Sequence, residues 1–363
     1  MNRLNLLDLT FFRGRVGLCK LLQSLNLEPG DEVITQAFTC VAVPEGILAS
    51  GGIPVYVDIE PTGYTLDPAR LERAITERTR ALIVQHTFGI PADMEPILKI
   101  GKKHNLIIIE DCCHTVSSQY SGTTVGTFGD AAFYSFEYGK PYAIGAGGSV
   151  VVNNAEIRKR LEDLSSLLEF PSLGTQLKIE LQFLVFHYLY TPALYWFLKR
   201  NFNKLTHLGI LKGNYNAISA DTVSEEFRWR MGGIAKRRLR RLLKHRKEPK
   251  SVAVDYQSAF HNLNISLPKV RKTDRADFVR FPIQVPNKKA LLEIAQRSRI
   301  EVAAWYRTPI HPLANEDLLK VKYVPGTCPN AEQRAIETVS LPMHHSISED
   351  YLAKLTTILN NCC

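Results

Sequence analysis

Lys140 stands between an apolar segment and a glycine-rich turn, in the run Ser135-Phe136-Glu137-Tyr138-Gly139-Lys140 followed by Gly145-Ala146-Gly147-Gly148. A lysine desolvated in such a place is neutral often enough to act as a nucleophile and to form a Schiff base with an aldehyde. Upstream, Leu106 to Ile109 reads as a fully buried parallel strand, and Asp111 follows it. Its carboxylate would emerge at the carboxyl edge of an open sheet, where such folds bind ligands. Ala131 to Phe136 predicts a second strand that delivers Lys140 to the same edge. A carboxylate under a pyridine nitrogen keeps that ring protonated and makes it an electron sink. The pair therefore points to pyridoxal 5'-phosphate, chemistry that needs no metal. Alone, Lys140 reads as a solvated loop lysine and Asp111 as a helix cap; their order, with Gly129-Asp130 leading the second strand, carries the signal.

The same order extends much further along the chain. Asp111 to His114, Val125-Gly126-Thr127-Phe128-Gly129-Asp130, Tyr134-Ser135-Phe136, Lys140 and Gly145 to Val152 together resemble the DegT/DnrJ/EryC1/StrS family of pyridoxal-phosphate-dependent sugar aminotransferases. The likeness includes Pro29 to Ile34, Phe38-Thr39, Gly52 to Asp58 and Phe88 to Asp93. It resumes at Trp229-Arg230-Met231, at Tyr306 to His311 and at Leu341 to His344.

The resemblance implies an α/β, aspartate-aminotransferase-like fold: a mostly parallel sheet with flanking helices, plus a smaller C-terminal α+β domain. It implies that Lys140 holds the cofactor and moves a proton, that Asp111 partners the pyridinium, and that Ser135 and the Gly14-Arg15 turn bind phosphate. His311, Tyr306 and Arg230 would lie near the substrate. Four positions depart from the family pattern. His114 replaces a glutamine beside the cofactor's phenolic oxygen, and its charge is expected to change near neutral pH. Cys40 stands where an aromatic ring often stacks, and Arg15 replaces a small hydroxyl residue. Arg228 occupies the place of an asparagine that reaches the phosphate from a neighbouring subunit. The two arginines either grip the phosphate as a charged fork or face water. Retention of Lys140 argues against the family's dehydratase branch, which has histidine there.

With 363 residues and 45% hydrophobic content, the chain can bury a large core. Strands alternate with amphipathic helices up to about Asn153, and a second pattern runs from near Ser251 to the C-terminus, with a strand at Phe281 to Val285 and a helix at Leu291 to Arg297. The expected organisation is a large cofactor-binding domain over 1–245, with an aromatic-rich helical insertion at about 164–219, and a small domain over 246–363. The seven cysteines include the adjacent pairs Cys112-Cys113 and Cys362-Cys363 and no CxxC. They suggest neither a disulfide framework nor a metal site, and favour a reducing cytoplasm. Leu4 to Phe12 is interrupted by Asp8 and lacks a following small-residue cleavage site, so no secretory signal is expected. The segment that precedes the phosphate turn in the family is short here, which touches one edge of the expected homodimer.

Leu181 to Leu198 contains no Asp, Glu, Lys or Arg. Its length reaches the threshold for a membrane span, but Pro192, His187 and Gln182 weaken that reading, and a span would separate two halves of one site. A buried helix pair at a subunit interface or a helical hairpin on the membrane surface remain open. The net charge of +9 is concentrated in part at Lys236 to Lys247, with eight basic residues and no acid. That helix presents a solvated face, touches anionic lipid over 236–247 together with 181–198, or draws in a nucleotide diphosphate. No nucleic-acid-binding motif accompanies it. The expected activity is transfer of an amino group from L-glutamate to a nucleotide-linked keto sugar in cell-surface polysaccharide or glycoconjugate biosynthesis. The alternatives are a membrane-associated enzyme with a lipid-linked acceptor and a non-catalytic cofactor-binding sensor.

Overall fold

The computed structural model describes residues 5–189, 196–197, 200–201, 225–244, 252–343 and 347–362. Ten strands occupy the first half: β1 (Leu9–Phe11), β2 (Glu32–Gln36), β3 (Thr39–Cys40), β4 (Ile53–Val57), β5 (Thr79–Gln85), β6 (Ile107–Asp111), β7 (Gln119–Tyr120), β8 (Thr123–Thr124), β9 (Ala131–Ser135) and β10 (Gly148–Val152). Seven of them form one sheet in the order β1-β10-β9-β6-β5-β2-β4. The five from β9 to β4 are parallel, and β10 runs antiparallel to β9. Strands covered on both faces carry near-continuous apolar runs, and β6, β5 and β9 do so. The expected strands at Leu106 to Ile109 and Ala131 to Phe136 are therefore present, with β6 extending through Asp111 itself.

Helices at Gly14–Gln23, Ala42–Ala49, Met94–Lys103 and Ala155–Ser166 cover the sheet. Val16, Leu18, Leu21 and Leu22 of the first are fully buried against β9 and β10. Close approach at its start depends on Gly148: a methyl group there would stand 2.5 Å from the carbonyl carbon and oxygen of Arg13. Only glycine lets β10 pass beneath the Arg13–Gly14 peptide.

Beside β6, both oxygens of buried Glu110 are taken up. They accept the amides of Gly126, Phe128 and Gly129 at 2.6–2.9 Å and face His86 Nε2 at 3.1 Å. His86 Nδ1 accepts the Ala92 amide, so the ring donates through Nε2. Although Cys112 lies near this pair, the bonds make the cluster a brace for the loop that leads into β9.

In the second half, β11 (Phe281–Gln284) and β13 (Thr338–Leu341) pair antiparallel beneath helices Val252–Phe260, Lys288–Arg297 and Glu349–Cys362, with a core of their own. The short strand β12 (Ile310–His311) instead pairs with β3, His311 opposite Cys40. It joins Tyr306, Ile310 and Val321 to the aromatic cluster around Phe38 and Phe88. Through it the C-terminal half closes over the carboxyl edge of the large sheet.

The segment Leu181 to Leu198 lies partly outside the described residues. Its first part belongs to a helix at Leu173–Leu189. Among the described residues no helix is long and apolar enough to cross a membrane. The basic run expected to be helical forms Gly233–Lys244, with 245–247 outside the described residues. Of its leucines, Leu239 is buried, Leu243 is half-buried and Leu242 is exposed.

Candidate active site

At the carboxyl ends of β5, β6 and β9 lies a pocket of about 470 Å³, counting its open mouth. Asp111, His114, Ser135, Lys140, Gly14, Arg15, Cys40 and Tyr306 all line it. Asp111 ends β6, as the strand pattern predicts, and Ser135 ends β9, one residue before the expected end at Phe136.

One end of the pocket brings together a helix N-terminus, a serine and two arginines. The helix Gly14–Gln23 begins after Arg13 in extended conformation, with no side-chain cap and no acid in its first turn. Its first amides, unpaired within the helix, face the pocket end with the positive pole of the helix dipole. Gly14 lies against Ser135, where an added methyl group would come within 3.0 Å of Ser135 Cβ. Arg13 and Arg15 are both about nine-tenths buried. Arg13 pairs with Glu137 and, at 3.0 Å, with Glu226; Arg15 pairs with Glu45 at 2.9 Å. Arg15 therefore does not face water. Burial raises the Glu45 carboxyl above its usual range, partly offset by Arg15. Burial works the same way on Glu137, but Arg13, Arg15 and Lys140 outweigh it and hold that carboxyl low.

At the other end stands a buried carboxylate. Asp111 is buried, accepts the Cys113 amide at 3.0 Å, and makes no ion pair among the described residues. Burial raises its pKa despite that amide and the nearby Lys140 charge. A carboxylate so placed gains by meeting a protonated nitrogen. Cys113 beside it is pushed well up by burial and by Asp111, and stays a thiol.

His114 corrects the expectation of a charge that changes near neutral pH. Its Nδ1 accepts the Phe88 amide at 3.0 Å, and burial, with Lys140 nearby, holds its pKa well below the ordinary value. The ring is neutral and carries its proton on Nε2. Phe88 supplies that amide from a left-handed conformation, φ 57°, unusual for an aromatic residue and found where structure over-determines it. The His114 ring stacks on Trp305, centroids 5.5 Å apart, and Lys140 Nζ lies 5.4 Å from the Trp305 ring centre.

Three expected site residues lie off the pocket. Arg228 is exposed at the end of the short helix Glu225–Arg228. Arg230 donates to the Ser165 carbonyl at 3.0 Å and sits over the Phe170 ring. His311 packs behind Tyr306, ring centroids 5.4 Å apart, and Nδ1 accepts the Arg307 amide. Burial, then the Arg307, Lys288 and Lys140 charges, lower its pKa to about 3. Trp305, Gln85, Arg13 and Glu137 were not singled out from the sequence. Trp305 adjoins the Tyr306 motif and could have been; Arg13 and Glu137 meet only through the fold.

The profile of the DegT/DnrJ/EryC1/StrS aminotransferase family matches residues 9–169 and 230–360. This chain belongs to that family. It is an aminotransferase. Among curated relatives, a UDP-N-acetyl-3-dehydro-alpha-D-glucosamine 3-aminotransferase of Acidithiobacillus ferrooxidans is 28% identical over 95% of this chain and 81% of its own. A pleiotropic regulatory protein of Geobacillus stearothermophilus is 29% identical over 91% of this chain and 77% of its own. The fold matches the Streptomyces venezuelae enzyme DesV, solved with a ketimine intermediate (TM-score 0.71, 24% identity, 97% of this chain and 84% of that one). It also matches a putative sugar aminotransferase of Streptococcus pneumoniae in its pyridoxal-phosphate form (TM-score 0.72, 20% identity, 98% and 87%). Residues 170–229 of this aminotransferase, which contain the aromatic-rich helix, fall outside the family match.

Proposed function

We propose that this aminotransferase binds pyridoxal 5'-phosphate in the pocket and transfers an amino group from L-glutamate to a nucleotide-linked keto-deoxy sugar used in cell-surface glycoconjugate synthesis. One observation carries the reading: a buried carboxylate, a lysine and an uncapped helix N-terminus with a serine line one pocket, in the arrangement the cofactor's nitrogen, aldehyde and phosphate require. When bound, the cofactor supplies an aldehyde and an electron sink. Asp111 would hold the ring nitrogen's proton, and the His114 Nε2–H would donate to the ring oxygen. Ser135, the Gly14 and Arg15 amides and the Arg13 and Arg15 side chains would hold phosphate. Lys140 Nζ would be the nucleophile toward that aldehyde and the base that moves a proton at the reacting carbon. Trp305 shields that amine from water on one side.

The substrate class rests on relatives. Besides the UDP-sugar enzyme, a GDP-perosamine synthase of Caulobacter vibrioides aligns over 41% of this chain at 36% identity. The test is the visible spectrum of the purified protein with added cofactor, before and after L-glutamate. A lysine-linked band that L-glutamate converts to the amine form supports the reading. Conversion by L-glutamine alone would correct the donor, and a band unmoved by any donor would leave a sensor.

A second reading, an acceptor served at the membrane surface, is favoured by one feature. Leu173, Leu177, Leu181, Leu184 and Tyr188 form an exposed stripe on the helix Leu173–Leu189. Beside the stripe, the same helix packs on the basic helix through Arg238, which pairs with Glu180 and covers Phe183.

A further inference from the structure

The phosphate end of the pocket already contains an anion of the chain's own. The Glu137 carboxylate accepts the Ser135 hydroxyl at 3.3 Å and pairs with Arg13. Both donors belong to the set that a phosphate would need. Arg13 keeps a second acid, Glu226, at 3.0 Å, and Arg15 is held by Glu45. None of the three acids has a side chain more than 15% exposed. A phosphate arriving here therefore meets a buried like charge before it meets free donors, and in a poorly screened site that repulsion is strong.

We propose that Glu137 is an internal stand-in for the cofactor phosphate: it occupies Ser135 and Arg13 until the phosphate displaces it, and so weakens the chain's hold on phosphorylated ligands. The inference rests on the reading of this pocket as the cofactor site. Glu226 makes the exchange feasible, because it keeps Arg13 in place after the Glu137 carboxylate swings away. Ligands lacking phosphate do not compete with Glu137, which separates this role from a general effect on the pocket.

The experiment is a titration of the full-length protein and its Glu137→Gln variant with pyridoxal phosphate and with pyridoxal, followed by the absorption band and by equilibrium dialysis. Glu137→Gln should bind pyridoxal phosphate about tenfold more tightly and pyridoxal within about twofold of the wild type. Inorganic phosphate should also compete more strongly with pyridoxal phosphate in the variant. Glu137→Asp, whose carboxylate is withdrawn from Ser135 while keeping its charge, should shift affinity in the same direction and covers the case in which the amide variant fails to fold. Unchanged or weaker pyridoxal phosphate binding in a variant that melts like the wild type would overturn the proposal and make Glu137 a support for Arg13. If the wild type forms no band with either aldehyde, the cofactor reading itself fails and this proposal with it.

Discussion

At His114, the nitrogen that accepts the Phe88 amide cannot also carry a proton, and burial opposes the charged ring. His311 is held the same way by the Arg307 amide, with a pKa of about 3. In the unfolded chain both would titrate near 6.5. The unfolded state thus binds protons that the native state refuses, so this contribution to stability is complete above about pH 6.5. It is lost as pH falls from there toward the lowered native pKa, at about 1.4 kcal/mol per pH unit for each histidine. The melting temperature should therefore drop between pH 7 and pH 5, and drop less in a His311→Asn protein; parallel curves for the two would refute the assignment. Lys140 is tested more directly. Lys140→Ala should abolish the borohydride-reducible cofactor linkage, and a linkage that survives would place the reactive amine elsewhere.

The elements around the site explain which parts could be read in advance. β6 and β9 were legible because strands buried on both faces leave apolar runs, and Asp111 and Lys140 follow such runs at fixed spacing. The pairing of Arg13 with Glu137, 124 positions apart, leaves no local trace. Nor does the Nδ1 bond that fixes the charge of His114, which depends on a left-handed Phe88. Gly148 marks a further limit: a glycine-rich turn was visible, but the reason for this glycine is the Arg13 carbonyl that crosses it. Gly148→Ala should push the start of the helix Gly14–Gln23 off the sheet and destabilise the fold by about 1–3 kcal/mol. Affinity for pyridoxal phosphate should fall more than affinity for pyridoxal, because the proposed phosphate site is built on the displaced amides. Equal losses for both ligands would show that the strain spreads through the whole pocket.

On the scale of the whole molecule, a cluster of basic residues and the exposed leucines lie on neighbouring helices, Gly233–Lys244 within the matched span 230–360 and Leu173–Leu189 outside the match. Arg238 locks the two helices together, which leaves Arg237, Arg241 and Lys244 exposed on the adjoining basic helix. An apolar stripe beside cations suits an anionic lipid surface, where about 1 kcal/mol accrues per basic residue near the headgroups. The same stripe would suit a second copy of the chain, but burying leucines between two identical basic helices brings like charges together. The membrane reading therefore predicts that the wild-type protein sediments with vesicles containing anionic phospholipid and not with neutral ones, and that high salt releases it. A Leu177→Ser, Leu181→Ser double variant should lose vesicle binding while keeping its molar mass in sedimentation equilibrium. A fall in mass without any vesicle binding by the wild type would assign the stripe to the subunit interface instead.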